Sequence, residues 1–323
     1  MTAGRGPADV RLAVYLPLLL PALFAPLAGP LSERLNPRYA TWLLTGAAAV
    51  LAACSTLALA LLLASAVVRI PVVASLGHLS LAVLGPDKTY RIAIGMLAGA
   101  LLCAAALAAT AFVIRRYRAL SDAYREARHL PGSEQTVVID DRSAVAYALP
   151  GWPGRVVVTA GMLEALDESG RAALLAHERA HLSGFHYLFT SAARLAAAAN
   201  PLLRPAARAV EYTVERWADE HAANVVGDRC LVAHAIGRAA LAATAHRPRR
   251  ALPGALGMVF SGARSAAHAA GPIPRRVAAL LAPPPPRRLA LLAVVLALTL
   301  LAGLCALQAA NELQDLLSLA STY

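Results

Sequence analysis

Four stretches of this 323-residue chain are long and uncharged enough to cross a bilayer, and that leaves few folds open to it. Crossing the hydrocarbon takes about 20 apolar residues in a helix, because lipid offers no partner to an exposed N–H or C=O. The first stretch runs from Leu12 to about Pro30 and contains Pro17, Pro21 and Pro26, which predict a kink. Arg5 and Arg11 precede it, so a cleaved signal peptide is the competing reading; the later spans and the lack of a small-residue cleavage site weigh against it. The second stretch runs from Thr41 to Val68, the third from Ile92 to Ile114 and the fourth from Leu289 to Asn311. Between the second and third, Ile70 to Pro86 is apolar but interrupted by Pro71, Gly77 and Pro86, and reads as an interfacial segment or a helix extension. A hydrophobic content of 58% and a mean hydropathy of +0.56 agree with a membrane protein.

The net charge of +11 comes from 30 basic and 19 acidic residues, and every basic residue but Lys88 is arginine. The arginines gather beside the apolar stretches, where they mark topology; they do not form a phosphate-binding stripe, and nucleic acid is not an expected partner. Arg115, Arg116, Arg118, Arg125 and Arg128 follow the third stretch, while Arg275, Arg276, Arg287 and Arg288 precede the fourth. The positive-inside rule then puts residues 115–288 in the cytoplasm and both termini outside. The loop with Arg69, Lys88 and Arg91 runs against this orientation and is outweighed by the larger clusters. Cys54, Cys103, Cys230 and Cys305 include no Cys-x-x-Cys pair, which argues against a disulfide framework or a thiolate metal site.

Within residues 115–288 the pattern changes. Thr136–Asp140 and Arg155–Thr159 are β-branched runs that predict strands, with Ser143–Leu149 between them and Pro150-Gly151 marking a turn. A helix is expected from Asp167 or Ser169, either of which can cap it, through Ala172–Ala176 into His177-Glu178-Arg179-Ala180-His181. A second helix is expected over about Leu203–Val226. His246–Arg276, rich in Pro, Gly, Ala and Arg, reads as largely irregular, and Pro283–Pro286 as a short stiff linker.

His177 and His181 are four apart and share one helix face, so both imidazoles can reach a single ion. Glu178 is turned by about 100° from His177, close enough to the ion's open side to touch a water without binding the metal. Catalytic zinc takes three protein ligands and keeps the fourth position for water. The third ligand is sought in Glu211–His221, where Glu215 and Asp219 stand at i and i+4. Glu215 can bind the ion while Asp219 orients a ligand histidine; Glu211, one turn earlier, is the competitor. A carboxylate-rich helix is also often a solvated face, with Arg216 free to pair with Glu220. Glu178 is the candidate base, taking a proton from the attacking water and returning it to the leaving amine. His221, Arg229 and His234 are weak candidates for stabilising the oxyanion, and spacing does not choose among them. His186, five residues past His181, lies too far round the helix for the same ion and reads as structural.

The run Leu174–His181, followed further along by Glu215-Arg216-Trp217-Ala218-Asp219, resembles the membrane zinc peptidases that include the beta-lactam sensor-transducers (BlaR/MecR-like). It is similar, more distantly, to the HtpX-type quality-control proteases. The likeness extends to Ala146–Gly151 and Val156–Leu163, and to the layout of three spans, an inner domain and a fourth span. The resemblance implies that His177, His181 and Glu215 bind one zinc ion, that Glu178 is the base and that Asp219 orients a ligand. It also implies a mainly α membrane protein, with four transmembrane helices and an inserted α+β zincin-like (gluzincin) metallopeptidase domain. The expected layout is a three-span region over 1–116, a cytoplasmic peptidase domain over 117–282 and a Pro/Arg linker over 283–288. A fourth span over 289–311 and a short outer tail over 312–323 complete it.

The expected activity is that of a zinc endopeptidase in the cell membrane, cutting membrane-proximal or cytoplasmic proteins in signalling or regulated proteolysis. An HtpX-type quality-control protease and a non-catalytic scaffold with a relict site are the alternatives. Expected partners are a protein or peptide substrate and the lipid bilayer. An extended substrate would pair with the strand around Val145–Leu149 if that strand is a sheet edge. The antibiotic sensors carry an extracellular ligand-binding domain after the fourth span, whereas this sequence reaches only Tyr323, so beta-lactam sensing by this chain is not expected.

Overall fold

The computed structural model describes residues 7–76, 89–130, 134–151, 154–245, 272–283 and 289–322. Helices α1 (Pro7–Arg34), α2 (Pro37–Val67), α3 (Pro71–Leu76) and α4 (Thr89–His129) come first. Three strands follow: β1 (Thr136–Ile139), β2 (Ala146–Leu149) and β3 (Arg155–Thr159). Then come α5 (Ala160–Ala165), α6 (Glu168–Ser183), α7 (His186–Ala199), a 3-10 turn (Pro201–Leu203), α8 (Arg204–Val226) and α9 (Arg229–Ala245). The last two described helices are α10 (Pro272–Leu281) and α11 (Leu289–Thr322).

Four helices are long and apolar enough to cross a membrane: Val14–Arg34, Pro37–Val67, Tyr90–His129 and Ala290–Leu319. They suggest a multi-pass membrane protein and match the four stretches seen in the sequence. Where α2 begins, Asn36 accepts the Arg38 N–H at 3.1 Å and Pro37 fills the first helical position, where a missing N–H costs nothing. Gly95 lets α4 close on α2, since a Cβ there would overlap the Ala66 methyl. Two helices outrun the sequence expectation. α4 continues past Ile114 to His129, because Ala123 and Ala127, four apart, bury against the sheet. α11 continues past Asn311, so the expected tail 312–323 is helical through Thr322; the Gln308 amide donates to Glu312 at 2.9 Å across one turn. Of the apolar segment Ile70–Pro86, α3 covers Pro71–Leu76, and 77–86 lies outside the described residues.

The strands form one sheet in the order β1-β3-β2, with β1 parallel and β2 antiparallel to β3. β3 is central and Val156–Val158 are fully buried, which is where a β-branched run packs best. Alternation sends Tyr147, Leu149 and Val157 onto Ala123 and Ala127 of α4. Ala146, Val156 and Val158 face the other way, onto Met162, Leu166 and Leu174 of the α5–α6 layer. The buried Arg155 guanidinium donates to Ala127 O at 3.1 Å and Leu130 O at 2.8 Å, closing carbonyls at the end of α4 that no helical N–H can reach. Residue 116, the expected end of the three-span region, lies inside α4, which runs unbroken from the apolar stretch to the sheet.

The α7–α8 hairpin does not stand apart from the spans. It shares one buried core with α1, α2 and α11, including Phe24, Leu44, Leu203, Val210 and Val295. Phe189 meets Trp42 edge-on at 4.7 Å, and the Thr41 and Thr213 hydroxyls are 2.9 Å apart. Arg216 does not pair with Glu220; its buried guanidinium donates to Ser32 O at 2.7 Å and Glu33 O at 3.3 Å, capping the end of α1. The expectation of an irregular segment over His246–Arg276 is corrected at its far end: α10 starts at Pro272, because Pro272 and Pro274 fall in a first turn that needs no N–H from them. Residues 246–271 and 284–288, including most of the expected proline linker, lie outside the described residues.

Candidate metal centre

α6 is fixed at its start by Asp167, whose Oδ1 accepts the Gly170 N–H at 2.8 Å; Ser169 only donates its hydroxyl to that oxygen at 3.1 Å. From there the helical period buries Ala173, Leu174 and Ala176 and carries His177, Glu178 and His181 into the interior. α8 brings Glu215 and Asp219 against them, one turn apart on the face that meets α6.

His177 Nε2 and His181 Nε2 are 3.1 Å apart, and the two Glu215 oxygens lie 3.7 Å from one ring nitrogen each. Ligands about 2.0–2.1 Å from a tetrahedral zinc ion stand about 3.3 Å from one another. The three donor atoms, all within 4.8 Å of one another, therefore fit a zinc ion, and two imidazoles with one carboxylate are a donor set that zinc takes.

Both rings are held on their far nitrogen. His177 Nδ1 is 3.0 Å from Asp219 Oδ1, and His181 Nδ1 is 3.0 Å from His186 Nδ1. With Nε2 turned to the ion, Nδ1 carries the proton, so His177 presents it to the Asp219 carboxylate and His181 donates to His186. His186 can accept because burial, then its neighbour His181, pushes its pKa down to about 2. His186, expected from its spacing to be structural, is outside the donor set but in direct contact with one of its rings. The turn that places it is costly. Phe185 sits at φ 49°, a left-handed conformation that costs a side-chain-bearing residue about 1–2 kcal/mol, and a Cβ at Gly184 would overlap the His186 ring.

The residue that the sequence reading missed is Arg276. From α10 its guanidinium reaches Glu215 Oε2 at 2.8 Å, Asp219 Oδ1 at 2.6 Å and Asp219 Oδ2 at 2.8 Å, fully buried. Such a forked contact suits arginine and not lysine. In the sequence Arg276 was only one of several topology-marking arginines. The signal that could have exposed it is an amphipathic helix opened by prolines with one arginine on its buried face.

These contacts set the protonation pattern. Burial works to raise the Glu215 and Asp219 carboxyls, but the Arg276 charge and the neighbouring histidines together outweigh it and hold both below the usual carboxylate range. Burial works to lower His177, yet the carboxylates of Asp219 and Glu215 beside it raise it to about 9. His181 is lowered by burial to about 4. Glu178 is raised by burial to about 7, against a lowering influence from the neighbouring His177 and from the Ala148 backbone of β2. A carboxyl near 7 can both take and give a proton at neutral pH. The outer strand β2 thus lies directly against the candidate base.

The remaining candidates are placed elsewhere. Glu211 pairs with Arg194 at 2.5 Å on an exposed face and is outside the donor cluster. Arg229 is drawn onto Glu220 Oε1 at 2.6 Å and onto Ala279 O and Ala282 O at the end of α10, at 3.0 and 2.6 Å, so it is committed to a helix terminus. His234 is exposed, with Nδ1 2.8 Å from Cys230 O in its own helix, and His221 is exposed on α8.

The profile of peptidase family M48 matches residues 110–195. The matched segment contains the sheet, His177, Glu178 and His181, and ends before Glu215. No curated protein and no solved structure matches the chain. The match supports a membrane-associated metallopeptidase of that family, and so a protease acting on proteins or peptides.

Proposed function

We propose that this chain is an integral-membrane zinc endopeptidase that cuts membrane-proximal or cytoplasmic proteins in signalling or regulated proteolysis. The observation that carries the reading is a three-donor cluster in which each histidine is braced on its other nitrogen, one by Asp219 and one by His186. Such bracing fixes tautomer and ring angle before any ion arrives, and a solvated polar helix face has no need of it. A cytoplasmic peptidase domain, a place in the cell membrane and outer termini rest on the arginine clusters beside the spans.

A zinc ion held there supplies Lewis-acid chemistry, a more acidic water and a polarised scissile carbonyl. The protein's own residues do the rest. Glu178 takes the proton of the attacking water and delivers it to the leaving amine. Asp219 and His186 keep the two imidazoles aimed, while Arg276 keeps Glu215 and Asp219 ionised. A peptide pairing along the edge strand β2, whose residues are buried and must first be uncovered, would lie beside the helix that carries Glu178. Main-chain pairing of this kind reads side chains weakly, so the substrate is selected largely by its closeness to the membrane.

The test is to map new protein amino termini in membranes carrying the wild-type chain or Glu178→Gln. The expected result is a small set of membrane-proximal cuts that vanish in the variant, whose hydrolysis falls by about 10²–10⁴-fold. Cuts only in soluble extracellular proteins, or unchanged hydrolysis in the variant, contradict the proposal. Broad cleavage of unfolded chains such as casein would place the protein among HtpX-type quality-control proteases.

A further inference from the structure

A second feature of the α7–α8 hairpin lies away from the donor cluster. Its tip reaches Ser55, whose hydroxyl accepts the Asn200 amide at 3.1 Å and lies within donating distance of Leu51 O at 2.7 Å and Pro17 O at 2.8 Å. Ser55 is fourteen residues along α2 from Thr41, where the same hairpin touches α2 near its other end, or about 21 Å at 1.5 Å per residue. Beside the tip, α2, α4, α7 and α8 enclose a cleft of about 1040 Å³. Its deep wall is apolar and small, with Leu59, Leu101, Ala104 and Ala108 lining it. Its other wall is basic, formed by Arg115, Arg194, Arg204 and Arg208.

The two walls lie at different depths. Arg115 ends the apolar stretch of α4, so it marks the edge of the hydrocarbon on the peptidase side. Leu101 is fourteen residues deeper, about 21 Å. Arg194, Arg204 and Arg208 all stand back from Asn200 towards the peptidase domain, by about 9, 6 and 12 Å along their helices. Arg194 pairs with Glu211, while Arg115, Arg204 and Arg208 have no carboxylate partner among the described residues. Unpaired arginines at headgroup depth above a small-residue trough are complementary to one object, a phosphate with an acyl chain below it.

We propose that this cleft is a binding site for an anionic phospholipid of the leaflet facing the peptidase domain. The phosphate is held by Arg115, Arg204 and Arg208, and one chain lies along Leu101, Ala104 and Ala108. The bound lipid fills the gap between α4 and the hairpin that carries Glu215 and Asp219 at its far end. The site is independent of the metal reading and rests only on the spans.

The experiment is native mass spectrometry of the full chain released from nanodiscs of equal phosphatidylglycerol and phosphatidylcholine. The wild type should retain phosphatidylglycerol in preference by roughly fivefold or more. Arg115→Gln/Arg204→Gln/Arg208→Gln should lose that preference. Ala104→Phe/Ala108→Phe, which keeps every arginine and fills the trough, should lose the retained lipid. Equal retention of both lipids by the wild type overturns the proposal, as does undiminished retention in either variant. Displacement of the lipid by inorganic phosphate also overturns it, since the site would then be an anion site without a chain.

Discussion

The two ends of α8 carry charge in opposite ways. Towards its carboxyl end, Glu215 and Asp219 are locked to Arg276 and to two histidines at 2.6–3.7 Å, in a protein interior. Towards its amino end, Arg204 and Arg208 are exposed and have no carboxylate partner among the described residues. Buried charge must be matched when the chain folds, because desolvation costs several kcal/mol per unpaired ion. Exposed charge at a bilayer edge can wait for its partner. One end is therefore a preorganised site whose geometry follows from folding alone, and the other is a surface completed by its surroundings. Mutations at the first should cost stability and metal together; mutations at the second should cost neither.

The largest expected effect is at Arg276. Arg276→Gln strips the buried Asp219 carboxylate and the partly buried Glu215 carboxylate of their shared countercharge and should lower unfolding stability by about 3–5 kcal/mol in detergent denaturation. A loss under about 1 kcal/mol would put Arg276 on a solvated surface and erase the contrast between the two ends. Next comes Asp219→Asn, which removes the charge that orients His177. Zinc affinity, measured by competition with a chelator, should fall by about 10–100-fold. An unchanged affinity would mean that His177 is aimed by packing alone. The smallest effect is expected at Glu211→Ala, which breaks only the exposed pair with Arg194. Stability should change by about 0.2–1 kcal/mol and zinc content not at all. A lost zinc ion in that variant would move the third ligand one turn towards the amino end of α8.

What the sequence allowed to be read follows from the range of each interaction. The four spans were legible because lipid imposes one composition over some twenty consecutive residues. His177 and His181 were legible because helical periodicity alone puts them on one face, and the same rule singled out Glu215 and Asp219. Arg276 was not, because its pairing joins α10 to α8 across 57 residues and no local pattern reports such a contact. The docking of α7 and α8 onto α1 and α2 was equally hidden. An alanine-rich amphipathic helix looks the same whether it packs on a soluble core or on spans. Arg229 misled for the opposite reason: an arginine at a helix start looks available until the end of another helix, here α10, claims it.

The central claim is that His177, His181 and Glu215 together hold a metal ion, and elemental analysis of the purified full chain, wild type beside Glu215→Ala, tests it most directly. About one zinc per wild-type chain and a large loss in the folded variant is the expected result. Full zinc retention by Glu215→Ala, or a wild-type protein that binds none when zinc is supplied, would contradict it.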